Sequence, residues 1–130
     1  MLTEEAPISE ADRAAILATA ADYIESWLGG DAERMGRALH PDLRKRAPWT
    51  DPSRHPEAAM NEDTWASMVE GTREGEGTKL EPGYQVEILD AYGPIATVAL
   101  LSSAYMDYLH VARFADGWKI VNVLWRPRPR

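Results

Sequence analysis

Residues Tyr105 to Trp125, YMDYLHVARFADGWKIVNVLW, restrict the possible folds more than any other part of the chain. They read as two long β-strands joined by a tight turn at Ala115-Asp116-Gly117, where the Asp-Gly pair supplies the backbone freedom a hairpin demands. Val111, Phe114, Trp118, Ile120, Val121 and Val123 favour a pleated surface, and no proline interrupts either run. The second strand is apolar at both parities. Val121, Val123 and Trp125 share one, and Trp118, Ile120 and Leu124 share the other, with Asn122 as the polar exception. A strand half open to water alternates, so this pattern predicts cover on both faces.

A chain of 130 residues suits one domain, residues 1–130 with tails at 1–8 and 126–130, and buries roughly 65–70% of its unfolded surface. The net charge of -7 argues against a nucleic-acid surface, which needs a clustered basic face, and against binding to anionic membrane. The one basic cluster, RPRPR at the C-terminus, reads as an extended tail because its prolines block helix and ladder alike. The absence of cysteine excludes disulfides, thiolate nucleophiles and thiolate metal sites. The N-terminal residues lack the basic start and apolar run of a signal peptide, and no stretch approaches the ~18–20 apolar residues of a membrane span. The expected location is cytoplasmic.

Ser9 is placed to cap a first helix, with Asp12 three residues on. Ile16, Ala20, Tyr23, Ile24, Trp27 and Leu28 recur at helical spacing, and Gly29-Gly30 ends the run. Asp31 caps a short second helix carrying Met35, Ala38 and Leu39 and ended by Pro41, and an extended arm follows around Leu43 to Ala47. Pro48, Pro52 and Pro56 mark residues 48–60 as a loop. A third helix is expected from about Glu62 to Thr72 with Trp65, Met68 and Val69 on its buried side, then a glycine-rich, mobile stretch over residues 71–83. From Tyr84 onwards the pattern turns to strands, with a turn at Tyr92-Gly93-Pro94. Helices followed by an antiparallel meander define an α+β class.

LHPDLRKR, residues 39–46, and YMDYLHVARFADGWKIVNVLW, residues 105–125, resemble the lumazine-binding family of the nuclear transport factor 2-like superfamily. The resemblance implies a cystatin-like cone: three N-terminal helices packed in the concave face of a strongly curved, mainly antiparallel sheet. It further implies a pocket between the first helix and the sheet, and a homodimer through the convex sheet face. A two-fold dimer is the simplest way to cover the second apolar side.

If residues 105–114 alternate, Met106, Tyr108, His110, Ala112 and Phe114 share one face, and Tyr105, Asp107, Leu109, Val111 and Arg113 the other. The first set reads as pocket lining around one titratable group, since histidine serves as acid, base or donor near neutral pH. A core histidine bonded to a carbonyl or to Tyr23 is the competing reading. Similarity to steroid isomerases, whose oxyanion hole pairs a Tyr with a protonated carboxylic acid, places Tyr23 at the position of that Tyr and His110 at that of the acid. The isomerase's general base falls at Ala47, which removes the isomerase route of proton abstraction. Asp42, Asp51 and His55 are loop residues with other possible roles. His40 reads as a cap of the second helix, and no spacing supplies the third ligand a metal needs.

Arg44 and Arg46 share a face of the extended arm, opposite Lys45, and Arg46 either forks onto a ligand or pairs with surface carboxylates. Trp27, Trp49, Trp65 and Trp125, with Tyr108 and Phe114, offer flat walls for a planar ligand or fill the core. The sequence therefore predicts a cofactor-free protein that binds a small, planar, largely apolar organic molecule, with Tyr23 and His110 as polar contacts. An isomerase- or dehydratase-type enzyme using His110 and Tyr23 is the second reading, and an assembly module without a ligand is the third.

Overall fold

The computed structural model describes residues 7–48 and 60–129. Three helices, α1 (Glu10–Gly29), α2 (Ala32–Ala38) and α3 (Trp65–Arg73), accompany six strands. These are β1 (Leu39–Ala47), β2 (Asn61–Asp63), β3 (Tyr84–Tyr92), β4 (Ile95–Ser102), β5 (Tyr105–Phe114) and β6 (Gly117–Pro127). They form one sheet in the order β2-β1-β6-β5-β4-β3, antiparallel throughout except where β1 runs parallel to β6. The fold is α+β, as the order of elements predicts. Among the described residues, no helix is long and apolar enough to cross a membrane.

Local chemistry sets the helix boundaries. The Ser9 hydroxyl accepts from the Asp12 amide at 3.0 Å and satisfies one orphan donor of α1. Gly30, at φ 71°, ends that helix in the left-handed conformation that costs glycine little. α2 ends at Ala38, earlier than expected, because Leu39 already pairs with Ile120 of β6 and carries Pro41 into a strand. Thr64 and Ser67 make a reciprocal capping box that delays α3, leaving Glu62 in the short strand β2, which the sequence reading missed. His40 does not cap α2: its Nδ1 accepts from the Asp42 amide at 3.0 Å and its ring packs on Phe114. The glycine-rich stretch after α3 forms consecutive turns, closed by Glu76 N–H to Gly71 O at 3.1 Å and Thr78 N–H to Gly75 O at 3.1 Å.

The helices cover one face of the sheet. Ile16, Ala20, Tyr23 and Ile24 of α1 meet Val98 and Leu100 of β4, Leu109 and Val111 of β5, and Ile120 and Val123 of β6 in a single core. Asp12 pins the start of α1 to the hairpin, accepting from Trp118 Nε1 at 3.0 Å and from Arg113 at 2.8 Å. Asp12 is held below the usual carboxylate range first by that indole hydrogen bond.

A β-bulge resolves the doubly apolar pattern of β6. His110 pairs with Asn122 but Val111 pairs with Ile120, so Val121 is the extra residue and parity reverses across it. Trp118, Ile120, Val123 and Trp125 consequently all belong to the core side, although they fall on two parities in sequence. The pattern that predicted two covered faces thus reports one covered face and one bulge. β5 has the parity opposite to that expected for pocket lining. Asp107, Leu109 and Val111 are buried, whereas Tyr108, His110 and Phe114 are exposed on the far side.

Replacing Leu109 by Ala is expected to destabilise the protein by about 2–5 kcal/mol, and replacing its neighbour His110 by Ala by at most about 0.5 kcal/mol. Urea unfolding of both variants measures this, and the reverse order would contradict the assigned strand faces.

Candidate functional site

A cavity of about 210 Å³ opens beside the C-terminal half of α1, lined by Trp27, Lys45, Asp63, Ser67, Met68, Glu76, Tyr105 and Trp125. Each lining element has a reason to be there. β1 alternates around Leu43, Lys45 and Ala47, whose side chains are buried, while Arg44 and Arg46 are exposed. Lys45 therefore points inward because its strand partners on the same parity belong to the core. The turns after α3 close over the Trp27 ring. A Cβ at Gly77 would overlap that indole and its carbonyl, so only glycine permits the approach, which leaves Glu76 at the cavity mouth.

Lys45 is 9% exposed and is enclosed by aromatic rings. Its Nζ lies 5.2 Å from the Tyr23 ring centroid, 5.2 Å from that of Trp125 and 5.9 Å from that of Trp27. It donates to the Tyr23 hydroxyl at 2.6 Å. Tyr105 completes the wall, edge-on to Trp125 with ring centroids 5.3 Å apart. Asp107, 3% exposed, lies beside the Tyr23 hydroxyl. Lys45 and Asp107 are the two charged residues among the buried described residues.

Burial acts on both in the directions elementary electrostatics requires. It pushes the Asp107 carboxyl above its ordinary value, opposed by the charge of Lys45 and by the Tyr23 hydroxyl. It pulls the Lys45 ammonium below its ordinary value, opposed by Asp107 and Asp63. The Tyr23 phenol is raised by burial and then by Asp107. Tyr105 is raised by burial as well, while the Trp27 indole, which faces its hydroxyl without completing a well-formed hydrogen bond, works the other way. Three buried polar atoms around the floor lack a protein partner among the described residues: the indole nitrogens of Trp27 and Trp125 and one carboxylate oxygen of Asp107. Buried polar atoms of this kind are rarely left unpaired in folded proteins.

The residues expected from sequence divide into two groups. Tyr23, Trp27 and Trp125 meet at the cavity. His110 does not: it is exposed on the opposite face of the sheet, where its Nδ1 lies 3.3 Å from the Asn122 amide nitrogen. Tyr108 and Phe114, 44% and 39% exposed, lie on that face too. Trp65 ties α3 to α2 through a 2.9 Å hydrogen bond from its indole to Gly36 O, away from the cavity. Arg46 is exposed, opposite Glu62 in the register of β1 and β2. Trp49, Asp51 and His55 lie outside the described residues. Among the described residues, no cluster of three or more His, Asp or Glu side chains is arranged to hold a metal ion.

Lys45, Asp107, Tyr105, Asp63 and Glu76 were missed. The signal for Lys45 was its place between Leu43 and Ala47 at strand spacing, and for Asp107 its parity with Leu109 and Val111. Both polar residues sit in the apolar register of their strands, which is where a buried functional charge hides.

The fold, helices covering one face of a six-stranded mixed sheet, is that of proteins described as NTF2-like and cystatin-like. The chain is similar to a protein of that class of unknown function from Silicibacter pomeroyi, with a TM-score of 0.74, 16% identity, and coverage of 93% of this chain and 100% of the other. A ketosteroid isomerase-like protein from Erwinia carotovora is similar at a TM-score of 0.66 and 14% identity, covering 95% and 100%. A protein described as a putative aromatic ring hydroxylase from Novosphingobium aromaticivorans gives 0.66 and 12%, covering 95% and 94%. At such identities the likeness is one of fold. No curated protein matches the sequence. Residues 11–126 match the family described as "Putative lumazine-binding", and the chain belongs to that family.

Asp107→Asn tests the electrostatics of the floor. Because the native pKa of Asp107 lies above its unfolded value, its contribution to stability is fully present below about pH 4 and is lost as pH rises through the native pKa. The stability of the wild type relative to Asp107→Asn should therefore fall as pH rises from about 4, as read by urea unfolding at a series of pH values. A difference that grew with pH would show that Lys45 and Tyr23 outweigh burial.

Proposed function

We propose that the protein binds a small, planar, uncharged organic molecule in the cavity beside Trp27 and Trp125, with Lys45 as the principal polar contact. The observation that carries this reading is the set of donors at the floor: the Lys45 ammonium and the indole N–H groups of Trp27 and Trp125, which have no protein partner among the described residues, all held among flat aromatic surfaces. Such donors suit a carbonyl oxygen or a ring nitrogen, while the rings stack on its plane. The carboxylates work against an anion. Asp63 and Glu76 at the mouth and Asp107 at the floor outnumber the single lysine. A volume of about 210 Å³ lies below the roughly 300–1,000 Å³ of drug-sized sites, which favours molecules of one or two rings. Lumazine, from which the family takes its name, is a planar heterocycle carrying ring carbonyls and is the first probe to use.

The enzymatic reading with His110 and Tyr23 as partners loses its basis, because the two side chains lie on opposite sides of the sheet. Tyr23 remains, as the residue that orients Lys45.

In a thermal-shift assay, lumazine, benzamide or 2-pyridone is expected to raise the melting temperature in a concentration-dependent way, benzoate far less, and Lys45→Met is expected to abolish the response. No rise with any neutral ring compound, or an undiminished rise in Lys45→Met, would overturn the reading. We also propose that the far face of the sheet, where Leu101, Met106, Tyr108 and Leu124 lie in neighbouring rows, receives a second copy of the chain. Sedimentation should then give a dimer that Tyr108→Glu with Leu124→Glu converts to a monomer. A monomeric wild type would refute it.

A further inference from the structure

Lys45 has the surroundings of a reactive amine as well as those of a hydrogen-bond donor. It is almost fully buried, it borders an open cavity, and its Nζ donates to a tyrosine hydroxyl at 2.6 Å that is itself beside a buried carboxyl group. We propose that Lys45 captures small aromatic aldehydes or ketones as an imine at Nζ, with Tyr23 and Asp107 handling the protons. This rests on the cavity being a binding site for a neutral carbonyl compound.

The protons have a route. For nitrogen to attack, its ammonium must lose one: its hydrogen bond runs to the Tyr23 hydroxyl, and Asp107, whose charge acts on both groups, is the buried carboxyl that would take the proton. Transfer from Lys45 to Asp107 replaces two buried charges by two neutral groups, which is the outcome burial favours. Asp63, Glu76 and Tyr105 also face the cavity, and Asp63, with Asp107, acts in the other direction, favouring the ammonium. The Nζ lone pair then forms the C–N bond while the carbonyl π bond breaks onto oxygen, which takes one of the two protons on the attacking nitrogen and gives a neutral carbinolamine. The hydroxyl leaves as water with the proton held by Asp107 as the nitrogen lone pair forms the C=N bond, and the resulting iminium returns its N–H proton to the Asp107 carboxylate. The sum is amine plus carbonyl compound to imine plus water, with no change of oxidation state. Desolvated lysines activated in this way are nucleophiles towards carbonyl substrates. The walls of Trp27, Trp125 and Tyr105 select a flat substituent on the carbonyl.

The sequence makes the test clean, because it contains only three lysines, Lys45, Lys79 and Lys119. Cleavage before aspartate places each in its own peptide, Lys45 in residues 42–50. The folded protein would be incubated with benzaldehyde and sodium cyanoborohydride near neutral pH, and benzylation at each lysine followed by mass spectrometry. Benzaldehyde binding would be followed in parallel by thermal shift. The expected result is one benzyl group, on the 42–50 peptide, formed at least tenfold faster than at exposed Lys79 and lost when the protein is first unfolded in urea. Labelling should fall when Tyr23→Phe interrupts the proton route, with folding checked by circular dichroism. Labelling of Lys45 no faster than Lys79, with benzaldehyde still raising the melting temperature, overturns imine formation and leaves the binding site standing. Neither labelling nor a shift overturns both.

Discussion

The enclosure of one ammonium group by three aromatic rings, one of them the phenol to which it donates, is the constraint on which the rest of the cavity depends. Lys45 is set inward by the strand that carries it, between Leu43 and Ala47, and a bare ammonium there would be costly. The faces of Tyr23, Trp27 and Trp125 replace part of its lost hydration, at distances where a desolvated cation–π contact contributes about 2 kcal/mol or more. The charge of Asp107 acts on Lys45 against the effect of burial. The partners come from three elements: α1, β5 and β6 converge on a residue of β1. The floor of the cavity is therefore also the point where helix and sheet are registered against one another.

Polar groups elsewhere support that registration from a distance. At the far end of α1, Asp12 bonds to Trp118 and Arg113 of the hairpin. Further along, Glu25 accepts from the Tyr84 hydroxyl and from Arg34, and the tyrosine bond is the main cause that holds its carboxyl below the ordinary range. These contacts fix the helix at both ends on the sheet. Tyr23 lies between these anchors and Trp27 half a turn beyond the second, and Gly77 lets the turns after α3 press down on the Trp27 indole. Substituents on any bound ring would meet Glu76 and Asp63 at the mouth.

Much of this was legible in the residues. Ser9, Gly30 and the helical run from Ile16 to Leu28 define α1, and the Asp-Gly turn defines the long hairpin. Tyr23, Trp27 and Trp125 were singled out by their spacing and large rings, and all three lie around Lys45. Failure came where period-two reasoning met irregularity. The bulge at Val121 places residues of both parities on one face, which no alternation count can show. In β5 the choice of inward face followed His110, an attractive titratable residue, although Leu109 and Val111 carried the stronger apolar signal. A histidine drew attention to the solvent side, while a lysine and an aspartate in apolar registers were passed over.

Lys45 and its cage can be observed directly. With lysine side chains labelled, the ε-methylene proton shifts separate ring-enclosed Lys45 from exposed Lys79 and from Lys119, whose amine bonds to Arg37 O. The account predicts that the Lys45 ε-protons are displaced well upfield by the rings of Tyr23, Trp27 and Trp125, that they give Overhauser contacts to those rings, and that the Lys45 amine titrates below the other two. A Lys45 signal that coincides with that of Lys79 in shift and titration would contradict it, because the ammonium would then lie in water and the cavity would have no floor.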